Sequence, residues 1–360
     1  MPSSLVVGSP PRRILVIRPS ALGDVCRTVP VLASLKRAYP GASIDWMVQQ
    51  GFEESVAHHP DVSGVVLFPR KRFSKWWTPE IARELLGWLG ELRRAKYDLV
   101  VDCQGLARSG FFAWATRAKI RIGYADAAEG GWLGVNRRVK AAGTLHTVDR
   151  MLALVESAGA LVVRDMRLYS PADAWQRLLA SEGAARLTNG RFAVIAPTSR
   201  WPGKLWPAER YAEAARILLG DKSIGIGSIA IVGAGHERDQ CRALTDLAAV
   251  EPRVVDLIGK TTIGTLMALV ERSSLVIAND SACLHMAVGF DRPLVGLYGP
   301  TDVSLVGPYQ REGCVVQRLV EGDTFDHKNR SLGEEMMRRI SVEDVMEKVR
   351  EVLGRTERGL

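Results

Sequence analysis

Three polar stretches carry the side chains able to do chemistry, and each follows an apolar run. The first is Pro19-Ser20-Ala21-Leu22-Gly23-Asp24. A carboxylate on a glycine-containing loop at a helix start could act as a general base. It could equally cap the helix, a role worth about 1 kcal/mol. Gly23 permits a tight turn or the close approach of a ligand. The second stretch, Thr198-Ser199-Arg200-Trp201-Pro202-Gly203-Lys204, sets two hydroxyls and two cations on one loop. That combination suits a diphosphate, or it is a polar connection with solvated cations. It lacks the spacing of a P-loop. The third is Asn279-Asp280-Ser281, where a helical apolar pattern begins at Ala282. Unpaired N–H groups around Ser281, Ala282 and Cys283 at such a helix start can bind phosphate without a cationic side chain.

Two weaker signals accompany these. Gly233-Ala234-Gly235 is half of a dinucleotide fingerprint and says little by itself. Glu237 beyond it could accept ribose hydroxyl hydrogen bonds, or it is a first-turn glutamate favoured by the helix dipole. His285 lies about one turn beyond Ser281 and is a packing residue or an auxiliary ligand. No paired cysteine or H-x-x-x-H pattern is near, so no metal site is expected.

Stepping outward, apolar runs at 13–18, 43–48, 62–68 and 97–103 predict strands, with helical patterns between most of them, including 24–38 and 145–157. A second set follows at 192–196, 228–232, 275–278 and 294–298, with helices through 219 and over 262–272. Alternation of this kind implies parallel sheets with right-handed crossovers. Ligands of such sheets bind at the carboxyl edge, where all three polar stretches fall. The predicted organisation is a flexible lead-in over 1–12, a first domain over 13–160, a connection over 161–190 with a helix at 171–181, and a second domain over 191–340. An amphipathic tail over 341–360 carries Val342, Val345, Val349 and Val352 on one face and is expected to pack back on the first domain. Two inserts, 69–77 and 123–138, are expected to be surface loops.

At 360 residues, 47% hydrophobic and 24% charged, the composition is that of a globular two-domain protein. No apolar run is long enough to span a membrane, and the N-terminal residues do not read as a secretory signal. The five scattered cysteines argue for reduced thiols and a cytoplasmic setting. Charge is uneven: residues 1–150 hold 22 Lys and Arg against 13 Asp and Glu, while the remainder is nearly neutral. The first half therefore expects an anionic partner: nucleic acid, lipid headgroups or an acidic sugar. Arg70 to Trp77, four cations with three aromatics, is the best nucleic-acid candidate, since aromatics between cations can stack bases. No recognised nucleic-acid module surrounds it, and a solvated loop or an acidic-sugar contact is the alternative.

The SALGD ending at Asp24, DCQG at 102–105, TSRWPGKLWP at 198–207, GAGHE at 233–237, NDSACLH at 279–285 and YGPTD at 298–302 together resemble the ADP-heptose:lipopolysaccharide heptosyltransferases, the type I enzymes most. The resemblance spans about 13–352. It implies an α/β protein of two Rossmann-like domains facing across a cleft, the glycosyltransferase-B type. It also implies inverting transfer of L-glycero-D-manno-heptose from ADP-heptose to Kdo-lipid A, without a metal or other cofactor, at the cytoplasmic face of the inner membrane. By matching position, Asp24 is the base. Lys204, with Thr198 and Ser199, holds the diphosphate. Glu237 takes the ribose, and Asp280 the sugar. The N–H groups of Ser281, Ala282 and Cys283 face phosphate, with His285 in support. Ser20 and Gly23 are substrate-binding positions, and Arg108 falls where the family has an acceptor-binding cation. Pro197, Trp201-Pro202-Gly203 and the 123–138 segment depart from the family pattern. A related transferase using another nucleotide sugar is the nearest alternative, and a non-catalytic nucleic-acid-binding module a more distant one; no nucleic-acid partner is expected.

Overall fold

The structure, a computed structural model, describes residues 9–326 and 328–357. Residues 1–8 of the expected lead-in and the last three of the tail lie outside them. The chain divides into two compact units between Tyr169 and Ser170, inside the predicted connection.

The first unit is built on six parallel strands: β1 (Arg13–Ile17), β2 (Ser43–Gln49), β3 (Gly64–Phe68), β4 (Leu99–Asp102), β5 (Ile120–Tyr124) and β6 (Arg137–Val139), in the order β3-β2-β1-β4-β5-β6. The apolar runs of β1 and β4 are buried on both faces, as strands inside a helix-covered parallel sheet must be. The second unit repeats the plan. Its strands are β7 (Phe192–Ala196), β8 (Ser228–Ile231), β9 (Val254–Asp256), β10 (Leu275–Asn279), β11 (Leu294–Leu297) and β12 (Val315–Val316), ordered β12-β11-β10-β7-β8-β9. Each order reverses once, between β1 and β4 and between β7 and β10. The crevice at such a reversal is where doubly wound sheets bind ligands.

Four expectations change. The helix predicted over 24–38 starts earlier and is two pieces, Leu22–Arg27 and Val29–Ala38. Pro30 has no N–H to continue the ladder, and Thr28 N–H turns to the Val25 carbonyl three residues back. The 69–77 insert is tethered. Arg70–Phe73 forms a helical turn, and the buried Phe73 ring joins Phe68 and Trp88 in the core, leaving Trp76 and Trp77 outside. The 123–138 insert is not a surface loop either. It completes β5, makes a 3-10 turn over Ala128–Gly134 and enters β6. Its glycines serve close packing: a Cβ on Gly134 would stand 1.8 Å from the Gly110 carbonyl oxygen in the Ala107–Ala115 helix.

The tail is the fourth. Its helix, Val342–Glu357, is amphipathic as predicted, but Val342, Val345, Val349 and Val352 are part of the second unit's own core, beside Tyr211, Leu218 and Leu297. The expected packing onto the first domain gives way to this. A helix's apolar face must be buried somewhere, but its periodicity does not name the partner.

Candidate active site

At the first unit's reversal, β1 runs directly into Arg18. This buried guanidinium donates to the Cys103 carbonyl at the end of β4 and pairs with Asp24 at 3.0 Å. Asp24 is the third residue of the Leu22–Arg27 helix, so it is not the N-cap; that position is Ala21. Its carboxylate reaches back to the Ala21 N–H (3.2 Å) and also meets the Arg27 guanidinium one turn on. Asp24 therefore serves the helix start as its third residue, bonding back to the N-cap N–H, and not as the N-cap that the sequence allowed. Burial alone would raise the Asp24 pKa. The adjacent Arg18 and Arg27 cations, with the hydrogen bonds from Arg27 and Ala21, outweigh burial and hold it far below the usual carboxylate range. The side chain keeps 23% of its surface exposed, so it remains open to a substrate.

The loop after β4 forms the other wall. Asp102 accepts from Gln104 N–H (2.9 Å), Gly105 N–H (3.2 Å) and Ser109 Oγ (2.9 Å), folding the chain back into the next helix. Burial pushes its pKa up to about 6 against those bonds. Gln104 Oε1 in turn accepts from Ser20 N–H at 3.3 Å. Ser20 and Arg108 line one small hollow with Arg70 and Phe68, and the Arg108 guanidinium lies 5.5 Å from the Phe68 ring centre. Burial, reinforced by Arg70, lowers the Arg108 pKa. Gly23 occupies an ordinary helical turn, so no unusual backbone conformation explains it.

At the second unit's reversal, Asn279 locks the edge. Its Oδ1 accepts from Tyr211 Oη (2.9 Å) and Trp206 N–H (3.3 Å), and its Nδ2 donates to the Pro197 carbonyl (2.6 Å). Three segments are thereby tied at the ends of β7 and β10. Beyond them Lys204 Nζ meets Asp280 Oδ2 at 2.5 Å, with both side chains nearly enclosed. His285 Nε2 stands 4.0 Å from the other Asp280 oxygen. Lys204 sits on the 3-10 turn Pro202–Lys204, which packs backbone to backbone on the Arg330–Arg339 helix. A Cβ on Gly333 would come 2.4 Å from the Gly203 carbonyl oxygen.

Thr198 and Ser199 are buried on the same loop. Ser199 N–H donates to Gln240 Oε1 (3.2 Å), and Ser199 Oγ accepts from Trp201 N–H (3.2 Å). Thr198 leans on Gly233, where a Cβ would lie 2.8 Å from its methyl carbon. Ser281 is the N-cap of the Ala282–Gly289 helix but makes no side-chain capping bond, and its buried Oγ has no hydrogen-bond partner among the described residues. Ala282 and Cys283 form the first turn of that helix beside it. The Thr301 hydroxyl, on the loop after β11, is buried and equally unpartnered among the described residues. Buried hydroxyls of this kind are costly unless a ligand or water meets them. Glu237 lies on the 3-10 helix Gly235–Cys241, which also carries Gln240. Its carboxylate accepts from Ala234 N–H at 3.0 Å, as the first-turn reading expects.

The structure thus gathers Ser20, Asp24 and Arg108 at one reversal, and Thr198, Ser199, Lys204, Asp280, Ser281, Ala282, Cys283 and His285 at the other. Sequence reasoning assigned no site role to Arg18, Arg27, Asn279 or Thr301, although Asn279 and Thr301 fall inside the quoted 279–285 and 298–302 motifs. Arg27 also carried a local signal, its i,i+3 spacing from Asp24.

A family model described as glycosyltransferase family 9 (heptosyltransferase) matches residues 88–333. Lipopolysaccharide heptosyltransferase 1 of Escherichia coli strain K12 is 28% identical over 308 residues, covering 84% of this chain and 92% of that one. The enzyme of the same name from Pseudomonas aeruginosa PAO1 is 29% identical over 309 residues, covering 83% and 82%. Among solved structures, E. coli heptosyltransferase WaaC with ADP-2-deoxy-2-fluoro heptose superposes with a TM-score of 0.73 at 26% identity, over 94% of this chain and 99% of that one. The fold is the glycosyltransferase-B fold of these enzymes. With its family model matched across most of its length, the chain belongs to glycosyltransferase family 9, the heptosyltransferases, and is a glycosyltransferase.

Proposed function

We propose that the chain transfers L-glycero-D-manno-heptose from ADP-heptose to the Kdo region of a lipid A acceptor, with inversion, in lipopolysaccharide core assembly. The observation that carries this reading is the group at the second reversal: an enclosed Lys204–Asp280 pair beside a helix start, with two buried hydroxyls short of partners. Displacing ADP from an anomeric carbon puts negative charge on the leaving diphosphate, and preorganised donors there lower the barrier. Lys204, the Ser281 and Thr301 hydroxyls and the Ala282 and Cys283 N–H groups are donors of that kind. Asp280 is left for the sugar hydroxyls. The solved structure of the 26% identical E. coli WaaC is with ADP-2-deoxy-2-fluoro heptose, which supports the choice of donor.

Asp24 takes the proton from the attacking acceptor hydroxyl. Held ionised by Arg18 and Arg27, it is unprotonated across the working pH range, at the cost of some basicity. One displacement with no carboxylate nucleophile inverts the anomeric centre. The cationic donors do the charge stabilisation that a divalent metal does elsewhere, so we propose no metal requirement. Trp76 and Trp77, 61% and 68% exposed beside Arg70, Lys71 and Lys75, suit the interface of an anionic inner-membrane surface on the cytoplasmic side. No helix among the described residues is long and apolar enough to cross a membrane.

The test is a donor panel on a Kdo-lipid A acceptor, read by release of ADP, UDP or GDP, with the product's anomeric configuration assigned by NMR and a parallel run in EDTA. ADP release from ADP-heptose alone, an inverted product and indifference to EDTA are expected. Preferential use of another nucleotide sugar would replace the donor assignment.

A further inference from the structure

Three neighbouring strands of the second unit end in register. Asn279 of β10 pairs with Leu297 of β11, and Leu297 with Val316 of β12. Asp280, Tyr298 and Gln317 are therefore the first residues past three adjacent strand ends, about 4.8 Å from one strand to the next. The loop after β11 leaves the sheet one strand away from Asp280 and Ser281, and it is pinned from three sides. On Gly299 a Cβ would stand 2.9 Å from Met337 Sδ, so the backbone there packs on the Arg330–Arg339 helix. Asp302 Oδ1 accepts from Ser304 N–H (2.9 Å) and closes the far end. Between these, Gln317 Nε2 donates to the carbonyls of Gly299 (2.8 Å) and Thr301 (3.0 Å). Both hydrogens of that amide nitrogen are thereby used. The Thr301 hydroxyl is left over, buried and without a hydrogen-bond partner among the described residues. A hydroxyl in that state costs stability unless a ligand or water meets it.

We propose that Gln317 is a positioning residue for the nucleotide-sugar donor: its amide holds the 299–302 loop so that the Thr301 hydroxyl donates to the leaving diphosphate. The inference rests on the donor reading above and adds a residue outside the loops which that reading used. A hydroxyl hydrogen turns freely about its C–O bond, so a fixed backbone is what aims it. Two carbonyls of one loop, held by a single NH2 group, fix both the position and the tilt of the chain between them. The group has to be a donor. A glutamate at 317 would set a carboxylate against two carbonyl oxygens. The amide also occupies those oxygens, which would otherwise repel an incoming anion.

The test is a double-mutant cycle on the full chain, read by calorimetric titration with ADP and, in parallel, UDP, alongside thermal melting of the ligand-free protein. Thr301→Val should weaken ADP binding about tenfold, the usual worth of a hydrogen bond to a charged group. It should melt no lower than the wild type, since it removes a buried hydroxyl that has no partner there. Gln317→Met, similar in size but without a donor, should weaken ADP binding about three- to tenfold, and Gln317→Glu at least as much. In the Thr301→Val background Gln317→Met should add less than about twofold, because its effect passes through the hydroxyl. In the Thr301→Ser background, which keeps the hydroxyl, the full effect should return. Unchanged ADP affinity in Thr301→Val, or effects of the two substitutions that simply multiply, would overturn the assignment. A wild type that prefers UDP would instead overturn the donor reading. The same cycle read with UDP would still decide the role of Gln317, because both nucleotides carry the diphosphate.

Discussion

The two units share one strand order and place their functional loops at the same topological point, yet they fill it with opposite electrostatics. At the first reversal a carboxylate is surrounded by cations: Asp24 between Arg18 and Arg27. At the second, a cation is held by a carboxylate beside a helix N-terminus and unpartnered hydroxyls: Lys204 on Asp280. The first arrangement keeps a proton acceptor charged. The second stores positive charge and donors for an incoming anion. The topology sets where the functional loops fall, and under the proposed function a few side chains on those loops decide which half of the transfer each unit performs.

The sharpest way to break this division is Asp24→Asn. If the first unit supplies only the base, kcat should fall about 10²- to 10⁴-fold while donor affinity stays within twofold. Steady-state kinetics paired with ADP-heptose titration check this, and near wild-type turnover would remove Asp24 from the chemistry. Lys204→Ala is the counterpart. It should lower kcat/KM for the donor by about 10²-fold, through both a raised donor KM and a poorer leaving group, and leave acceptor KM unchanged. A rise in acceptor KM instead would mean that the two reversals do not divide the work as argued.

A smaller effect sharpens how the second reversal is built. Gly333→Ala pushes a Cβ to 2.4 Å from the Gly203 carbonyl, so the Lys204 turn must shift. A stability loss of about 1–3 kcal/mol is expected, as for other overpacked contacts. A several-fold higher donor KM should accompany it, with acceptor KM unmoved. Stability lost with donor KM unchanged would show that this contact does not position Lys204.

The strands and their edge loops were legible because buried parallel strands read as short apolar runs and polar loops follow them. Phe192–Ala196 was predicted to the residue. The pairings that make a site were much less legible. Lys204 and Asp280 are 76 positions apart, and nothing local says they meet. The Asn279 amide, which ties Pro197 and Trp206 of the loop after β7 and Tyr211 of the next helix, looked like part of a motif because its partners lie 68 to 82 positions away. Glycine misled in one place. In 123–138 it suggested looseness, whereas Gly131 and Gly134 are small so that backbone can touch backbone. Tertiary closeness and flexibility draw on the same residue type, and composition does not separate them.

The last residue of β4 and that of β10 offer the finest comparison, because they do the same job with different charge. Asp102 and Asn279 are both buried and both tie the loops beyond their strands. Asn279 is neutral at any pH. Asp102 is not, and burial lifts its pKa to about 6 despite three hydrogen bonds. A carboxyl whose folded pKa lies above its unfolded value binds its proton more tightly when folded. It therefore costs stability progressively as pH rises from about 4 to about 6, and the full cost remains above that. At about 1.4 kcal/mol per unit the penalty is on the order of 3 kcal/mol. Asp102→Asn makes the first reversal resemble the second: Asn Oδ1 can still accept from the backbone, and the Ser109 hydroxyl can turn to accept from Nδ2. The wild type minus variant difference in urea stability should therefore become more negative between pH 4.5 and 7.5. Parallel stability curves would mean that the hydrogen bonds to Asp102 fully compensate its burial, and that the two buried strand ends are equivalent after all.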